Sequence, residues 1–140
     1  VMWEIYGRDT NAIAVQTTVG RITKSIDPSG LSGHSLLFKP VIYEKSEDVR
    51  GVLLYEDLFF RKRPHFAFEK EVRISFDRYS SMNPTKKTPY GYGLPASINF
   101  LIESIYVHPD SSQWFVDVVK SIIKHYEVRV EVILGSFGNN

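Results

Sequence analysis

Apolar residues recur at strand and helix spacings along the whole chain, most clearly in its last third. The run Ile98–Val107 is rich in β-branched and aromatic residues and predicts a strand. A helix capped by Asp110 or Ser111 is predicted next, because apolar residues follow at helical spacing. Val128–Leu134 then alternates apolar with charged residues and predicts a final strand. The helical stripe, which we expect in the core, consists of Trp114, Phe115, Val118, Val119, Ile122, Ile123 and Tyr126.

The first third of the chain shows shorter patterns. Val1–Tyr6 places apolar residues four positions apart and is followed by Gly7, which predicts a short helix that ends there. Ala12–Thr18 alternates and predicts a strand. Thr18 is a preferred capping residue, so a second short helix is expected to begin directly after it.

The middle of the chain adds two strand patterns, Phe38–Glu44 and Val72–Phe76. There is no internal repeat, low-complexity block or long linker. The patterns therefore predict one α+β domain over residues 1–140. We expect a mixed sheet of about five strands packed by three or four helices. Its last strand, helix and strand should form a β-α-β unit with a right-handed crossover if the two strands are parallel.

Composition narrows the class of protein. The 140 residues are 43% apolar and 24% charged, with a net charge of +1 and no cysteine. Such a chain is neither disordered nor a strongly basic nucleic-acid arm, and it has no disulfide framework or thiolate chemistry. No run approaches the ~18 apolar residues of a membrane span. We expect a cytoplasmic protein without a membrane partner.

One segment, Arg61–Arg73, concentrates charge, with the sequence RKRPHFAFEKEVR. If a strand already includes Glu69 and Glu71, both side chains point to the same face as Arg73. One hypothesis is a cleft in which Glu71 polarises or deprotonates a substrate hydroxyl while Arg73 binds an anion. The alternative is a solvated strand face whose charges pair with their neighbours.

The candidate site residues all come from this segment. Glu71 and Glu69 are the candidate catalytic residues, and the candidate ligand-binding residues are Arg61, Lys62, Arg63, Arg73 and His65. No metal site is predicted, because the four histidines are scattered and no cysteine is present. Nucleic-acid binding is disfavoured, because a nearly neutral chain has few cations to spare for phosphates.

Several spaced pieces of the chain together resemble one bacterial family, the domain of unknown function 2971. The pieces are Met2-Trp3-x-x-Tyr6, Ala12-Ile13-Ala14-Val15, Val41-x-Tyr43, Lys62-Arg63-x-x-Phe66-x-x-Glu69-x-Glu71-Val72-Arg73 and Leu101-Ile102-x-x-Ile105-Tyr106-Val107-x-Pro109. No reaction is established for that family. Its members have an earlier half before the Met-Trp segment, so the resemblance implies that this chain corresponds to the later half of a longer architecture.

Three functions remain open at this point. The first is binding of an anionic ligand, a nucleotide or another phosphate-bearing molecule, by the charged segment, without a cofactor. The second is a structural or interaction module completed by homodimerisation, since strands missing from the family pattern would leave a sheet edge open. The third is an NAD-using transferase, because Glu69-Lys70-Glu71 is similar to the paired glutamates of ADP-ribosyltransferases.

Overall fold

The computed structural model describes residues 2–27, 36–45, 55–76, 87–88 and 91–137. Its α-helices are α1 (Met2–Tyr6), α2 (Val19–Ser25), α3 (Ile98–Leu101) and α4 (Gln113–His125). Two 3-10 helices span Tyr55–Phe60 and Pro64–Glu69. The strands are β1 (Ile13–Gln16), β2 (Leu36–Pro40), β3 (Ile42–Tyr43), β4 (Arg61–Lys62), β5 (Val72–Phe76), β6 (Lys87–Thr88), β7 (Gly91–Tyr92), β8 (Ser104–Val107) and β9 (Glu131–Leu134). The predicted α+β class is confirmed.

The chain divides into two compact units, one made of residues 1–31 and 85–140 and the other of residues 32–84. In the first unit, β1 pairs antiparallel with β8, and β9 pairs parallel with β8 on its other side. The connection from β8 to β9 runs through α4, which confirms the β-α-β unit at the end of the chain. That a single domain covers residues 1–140 stays a prediction.

Local signals account for the two helices at the start of the chain. The Gly7 N–H donates to the Trp3 carbonyl at 2.8 Å and closes α1. A Cβ at Gly7 would lie 2.9 Å from both that carbonyl oxygen and His108 Cδ2, so the close approach requires glycine. Thr18 caps α2 as predicted, since its hydroxyl accepts a hydrogen bond from the Arg21 N–H at 3.2 Å.

The core of the first unit lies between α4 and the sheet. Val107, Ile105 and Val119 are buried, and partly buried residues of α4 and β9 pack against them. The expectation that the whole apolar stripe of α4 is core is wrong, because Trp114 is 66% exposed and Tyr126 69% exposed. A three-stranded sheet covers only a narrow face of the helix, which holds Phe115, Val116, Val119 and Ile123.

Two predicted boundaries in this unit are also corrected. The run Ile98–Val107 is not one strand, because its first four residues form α3 and only Ser104–Val107 joins the sheet. The cap of α4 is Ser112, whose hydroxyl accepts from the Phe115 N–H, rather than Asp110 or Ser111. The Ser111 hydroxyl instead donates to the Thr10 carbonyl at 2.6 Å, so it is occupied elsewhere.

The second unit carries the charged segment. β2 pairs antiparallel with β5, and β3 pairs parallel with β4. The predicted strand Phe38–Glu44 is therefore divided into β2 and β3. The buried Val41 lies between them and donates its N–H to the Glu71 carbonyl at 2.8 Å. In the described residues the strands form one three-stranded mixed sheet and three two-stranded sheets, where the patterns predicted one sheet of about five strands. Over those same residues, no helix has the length and apolarity to cross a membrane.

Candidate functional site

Four charged side chains of the second unit converge from three elements. Lys62 lies on β4, Glu69 ends the second 3-10 helix, Glu71 directly precedes β5 and Arg73 lies on β5. We call these four residues the charge cluster. They belong to the segment in which the sequence predicted a site, and the structure brings them into direct contact.

The backbone reaches this arrangement through a helical turn rather than one strand. Pro64 occupies the first turn of the 3-10 helix, where its fixed φ suits a helix start. Lys70 ends that helix in the left-handed conformation, with φ 46° and ψ 46°. The prediction that Glu69, Glu71 and Arg73 share one strand face is therefore wrong for Glu69, because Glu69 ends the 3-10 helix and β5 begins only at Val72.

Lys62 connects the two glutamates. Its Nζ donates to Glu69 Oε2 at 2.5 Å and to Glu71 Oε2 at 3.3 Å. The same ammonium lies 4.5 Å from the centre of the Phe66 ring, within the range of a cation–π interaction. The Glu69 side chain is only 7% exposed, and this lysine compensates its charge at close range.

Glu71 is fixed by both its side chain and its backbone. Arg73 donates from Nε to Glu71 Oε1 at 2.6 Å and from Nη2 to Oε2 at 3.2 Å, a two-point contact. The Glu71 N–H donates to the Tyr43 hydroxyl at 2.8 Å. Arg73 also donates from Nη1 to the Phe59 carbonyl at 2.5 Å, which holds the guanidinium in place.

These contacts favour the charged forms of Lys62, Glu71 and Arg73. The hydrogen bond from Arg73, followed by that from Lys62, lowers the pKa of the Glu71 carboxyl below its ordinary value. The hydrogen bond to Glu69 raises the pKa of Lys62, and the one to Glu71 raises the pKa of Arg73. A carboxylate with a lowered pKa is a weak general base at neutral pH, yet it remains a good hydrogen-bond acceptor.

Part of the cluster faces solvent. The Glu71 side chain is 29% exposed and that of Arg73 33%. Within the cluster two cations balance two anions, so it has no excess charge. Arg63 is exposed, and its side chain makes no hydrogen bond or ion pair with any residue that the structure describes. It is thus an exposed cation next to Lys62 in sequence.

The remaining predicted site residues do not join the cluster. Arg61 forms an ion pair with Glu44. His65 is exposed and lies against Phe66, with ring centroids 4.1 Å apart. Sequence reasoning missed Tyr43 and Glu44 as supporting groups, because both contact the segment only through the pairing of β3 with β4. The one signal for Tyr43 was its place in the motif Val41-x-Tyr43.

In the described ranges no three potential metal ligands come together. Comparison of the chain with protein-family models, curated proteins and solved structures found no match.

Proposed function

We propose that the second unit binds a small anionic ligand that carries hydroxyl groups beside a phosphate, such as a nucleotide. The observation that carries this proposal is the partly exposed Glu71 carboxylate, which two cations hold ionised in the same segment as the exposed Arg63. A ligand hydroxyl would donate to Glu71, while the guanidinium of Arg63 would bind the phosphate.

The backbone at Lys70 supports a specific role for the cluster. A residue other than glycine in the left-handed region costs roughly 1 kcal/mol, and such residues concentrate at functional sites. The turn at Lys70 is what brings Glu69 and Glu71 to the same lysine. A row of solvated ion pairs would not need this strained turn, since exposed pairs contribute little to stability.

Binding accounts for the electrostatics of Glu71 better than proton transfer does. A general base works best with a pKa near the operating pH, whereas Arg73 and Lys62 lower the pKa of Glu71. We therefore assign Glu71 as a hydrogen-bond acceptor for the ligand. The NAD-using alternative stays a prediction, and release of nicotinamide on incubation with NAD, lost in Glu71→Gln, is its test.

The experiment compares adenosine monophosphate with inorganic phosphate in thermal unfolding of the full chain. We expect the nucleotide to raise the Tm of the wild type, and Arg63→Ala to abolish the increase without changing the fold. Glu71→Gln should reduce the nucleotide effect more than the phosphate effect, because it removes the acceptor for hydroxyls. Arg8→Ala, which removes an exposed arginine outside the cluster, is the matched control.

Two results would contradict the proposal. One is an equal increase in Tm for the wild type and Arg63→Ala. The other is unfolding of Glu71→Gln in the absence of ligand, by circular dichroism, which would make the cluster a structural ion-pair network. Membership of the bacterial family named above, a cytoplasmic location and homodimerisation remain parts of the proposal, with sedimentation as the test of the dimer.

A further inference from the structure

The hydroxyl of Tyr43 lies directly beside the residue that carries the partly exposed carboxylate of the charge cluster. It accepts a hydrogen bond from the Glu71 N–H at 2.8 Å. The hydrogen bond to Glu71 contributes most to the raised pKa of Arg73, and Tyr43 adds to it, because its oxygen lies near the guanidinium. A neutral polar group from a different strand therefore accompanies the Glu71 carboxylate.

The strand that carries Tyr43 is fixed on both sides. Val41, just before it, donates its N–H to the Glu71 carbonyl at 2.8 Å, and Glu44, just after it, donates its N–H to the Lys62 carbonyl at 3.1 Å. The parallel register of β3 with β4 places Tyr43 opposite Lys62. The position of the phenol is thus set before a ligand binds, which lowers the ordering cost of binding.

The Tyr43 hydroxyl still has its own proton to donate. A phenol oxygen can accept a hydrogen bond and donate one at the same time. The bond from the Glu71 N–H uses an acceptor position, and none of the residues that the structure describes accepts the phenol proton. Because hydrogen bonds in a chain polarise one another, the bond that Tyr43 accepts makes its O–H a stronger donor.

The Glu71 carboxylate has an acceptor position left on one of its oxygens. Each carboxylate oxygen can accept about two hydrogen bonds. Oε2 receives bonds from both Arg73 Nη2, at 3.2 Å, and Lys62 Nζ, at 3.3 Å. In the described part of the chain, Oε1 receives a bond only from Arg73 Nε, at 2.6 Å. The position that a ligand donor can use is therefore on Oε1.

A ligand that satisfies both groups needs an O–H that donates to Glu71 and a neighbouring oxygen that accepts from Tyr43. Two hydroxyl groups on adjacent carbons provide this pair, since each can donate or accept. The 2′ and 3′ hydroxyls of a ribose are such a pair, and a deoxyribose has lost one of them. The phosphate of a 5′-nucleotide is attached to another carbon, so both hydroxyls stay free.

On the basis of the function proposed above, we propose that the second unit binds ribonucleotides more tightly than deoxyribonucleotides. One ribose hydroxyl donates to Glu71 Oε1, and its neighbour accepts from the Tyr43 hydroxyl. A site that bonds a substrate hydroxyl rejects an analogue without it, because the protein group is then left unpaired. Since the Glu71 carboxylate is 29% exposed, water partly replaces a missing hydroxyl, and the discrimination is moderate.

The experiment measures binding of adenosine monophosphate, its 2′-deoxy analogue and its 3′-deoxy analogue to the full chain by calorimetry. For the wild type, we expect each analogue to bind about fivefold more weakly than adenosine monophosphate, because each loses one hydrogen bond. Tyr43→Phe should bind adenosine monophosphate only as tightly as it binds one of the two analogues, which identifies the hydroxyl that faces Tyr43. Tyr126→Phe, which removes the hydroxyl of a largely exposed tyrosine in the other unit, is the matched control.

The two analogues keep the test decisive if Tyr43→Phe fails to fold, which circular dichroism would show. Equal binding of all three nucleotides to the wild type, or a loss on removal of only one hydroxyl, would overturn this inference but not the proposed function. A folded Tyr43→Phe that keeps the wild-type preference for both hydroxyls would overturn it as well. No binding of any of the three nucleotides would reject both the inference and the proposed function.

Discussion

Glu71 combines two separate roles in one residue. Its backbone joins the structural frame, because its carbonyl accepts from Val41 and its N–H donates to Tyr43. Its side chain belongs to the charge cluster through Lys62 and Arg73. Substitution of the carboxylate therefore removes the electrostatic contacts and leaves the backbone contacts in place.

The first prediction concerns stability against acid. The pKa of Glu71 is lower in the folded chain than its ordinary value of 4.5, so its contribution is complete above that pH and is lost as the pH falls below it. Glu71→Gln should reduce the free energy of unfolding by about 1 kcal/mol at neutral pH and remove part of this acid dependence. Urea unfolding between about pH 7 and about pH 3 measures both.

The reverse applies to the lysine of the cluster. The pKa of Lys62 is raised above 10.5, so its contribution is present below that pH and is lost only as the pH rises beyond it.

In the acid experiment, Glu71→Gln should leave the part of the acid dependence that the other carboxyl groups produce. An acid dependence identical in the wild type and the variant would show that Glu71 gains nothing from its neighbours.

The residue types in the sequence indicated where charged side chains are concentrated, but not which of them form pairs. The density of charge from Arg61 to Arg73 is visible in the sequence and correctly locates four contacting side chains. Which cation meets which carboxylate depends on backbone direction. Arg61 and Lys62 are adjacent on β4, so they point to opposite sides, and one pairs with Glu44 while the other pairs with Glu69.

At the scale of elements, the junction between the second 3-10 helix and β5 depends on the left-handed turn at Lys70. Glycine adopts this conformation without a Cβ clash, whereas a β-branched residue fits it poorly. Lys70→Gly should leave the free energy of unfolding within about 0.5 kcal/mol of the wild type, and Lys70→Val should lower it by about 1–2 kcal/mol.

A matched substitution in a regular helix gives the control for this turn. Lys120 lies exposed within α4, where glycine costs about 1 kcal/mol. Urea unfolding of Lys70→Gly and Lys120→Gly should therefore give different results for the same change of residue. If both variants lose the same stability, the turn at Lys70 is not strained.

Helix α4 presents more apolar surface than its sheet covers. Trp114→Ala should change the free energy of unfolding by less than about 1 kcal/mol, because Trp114 is largely exposed. Val119→Ala should cost about 2 kcal/mol, because Val119 packs against Ile105 and Val107 in the core. Thermal or urea unfolding compares the two variants. A larger loss of unfolding free energy for Trp114→Ala than for Val119→Ala would show that Trp114 is part of the core.

Elements with strong local signals were predictable. Thr18 caps a helix, Gly7 ends one, and Val72–Phe76 alternates, and each prediction is confirmed. Helix α3 was not predictable, because four residues make barely more than one turn and show no periodicity. The stripe on α4 identified the helix, but the sequence does not indicate how wide a sheet lies beneath it.

At the scale of the whole molecule, strand pairing was the least predictable property. The neighbour of β1 is β8, and Gln16 and Ser104, whose side chains are hydrogen-bonded, are 88 positions apart. Alternation identifies a strand without naming its partner. The parallel pair β8 and β9 was predictable because a single helix connects them, which is the usual crossover.

This long separation has a consequence for the order of folding. Residues 104–134 contain a strand, a helix and a strand in immediate succession, so their contacts require only short loop closures. Strand β1 is synthesised long before β8, and we expect it to join the sheet after the β-α-β unit has formed. Its amides at Ala14 and Gln16 should therefore exchange with solvent hydrogen sooner than those of β8, in native-state exchange followed by NMR. Equal exchange in both strands would mean that β1 and β8 open together, and earlier exchange would show that β1 detaches from the sheet while β8 stays paired.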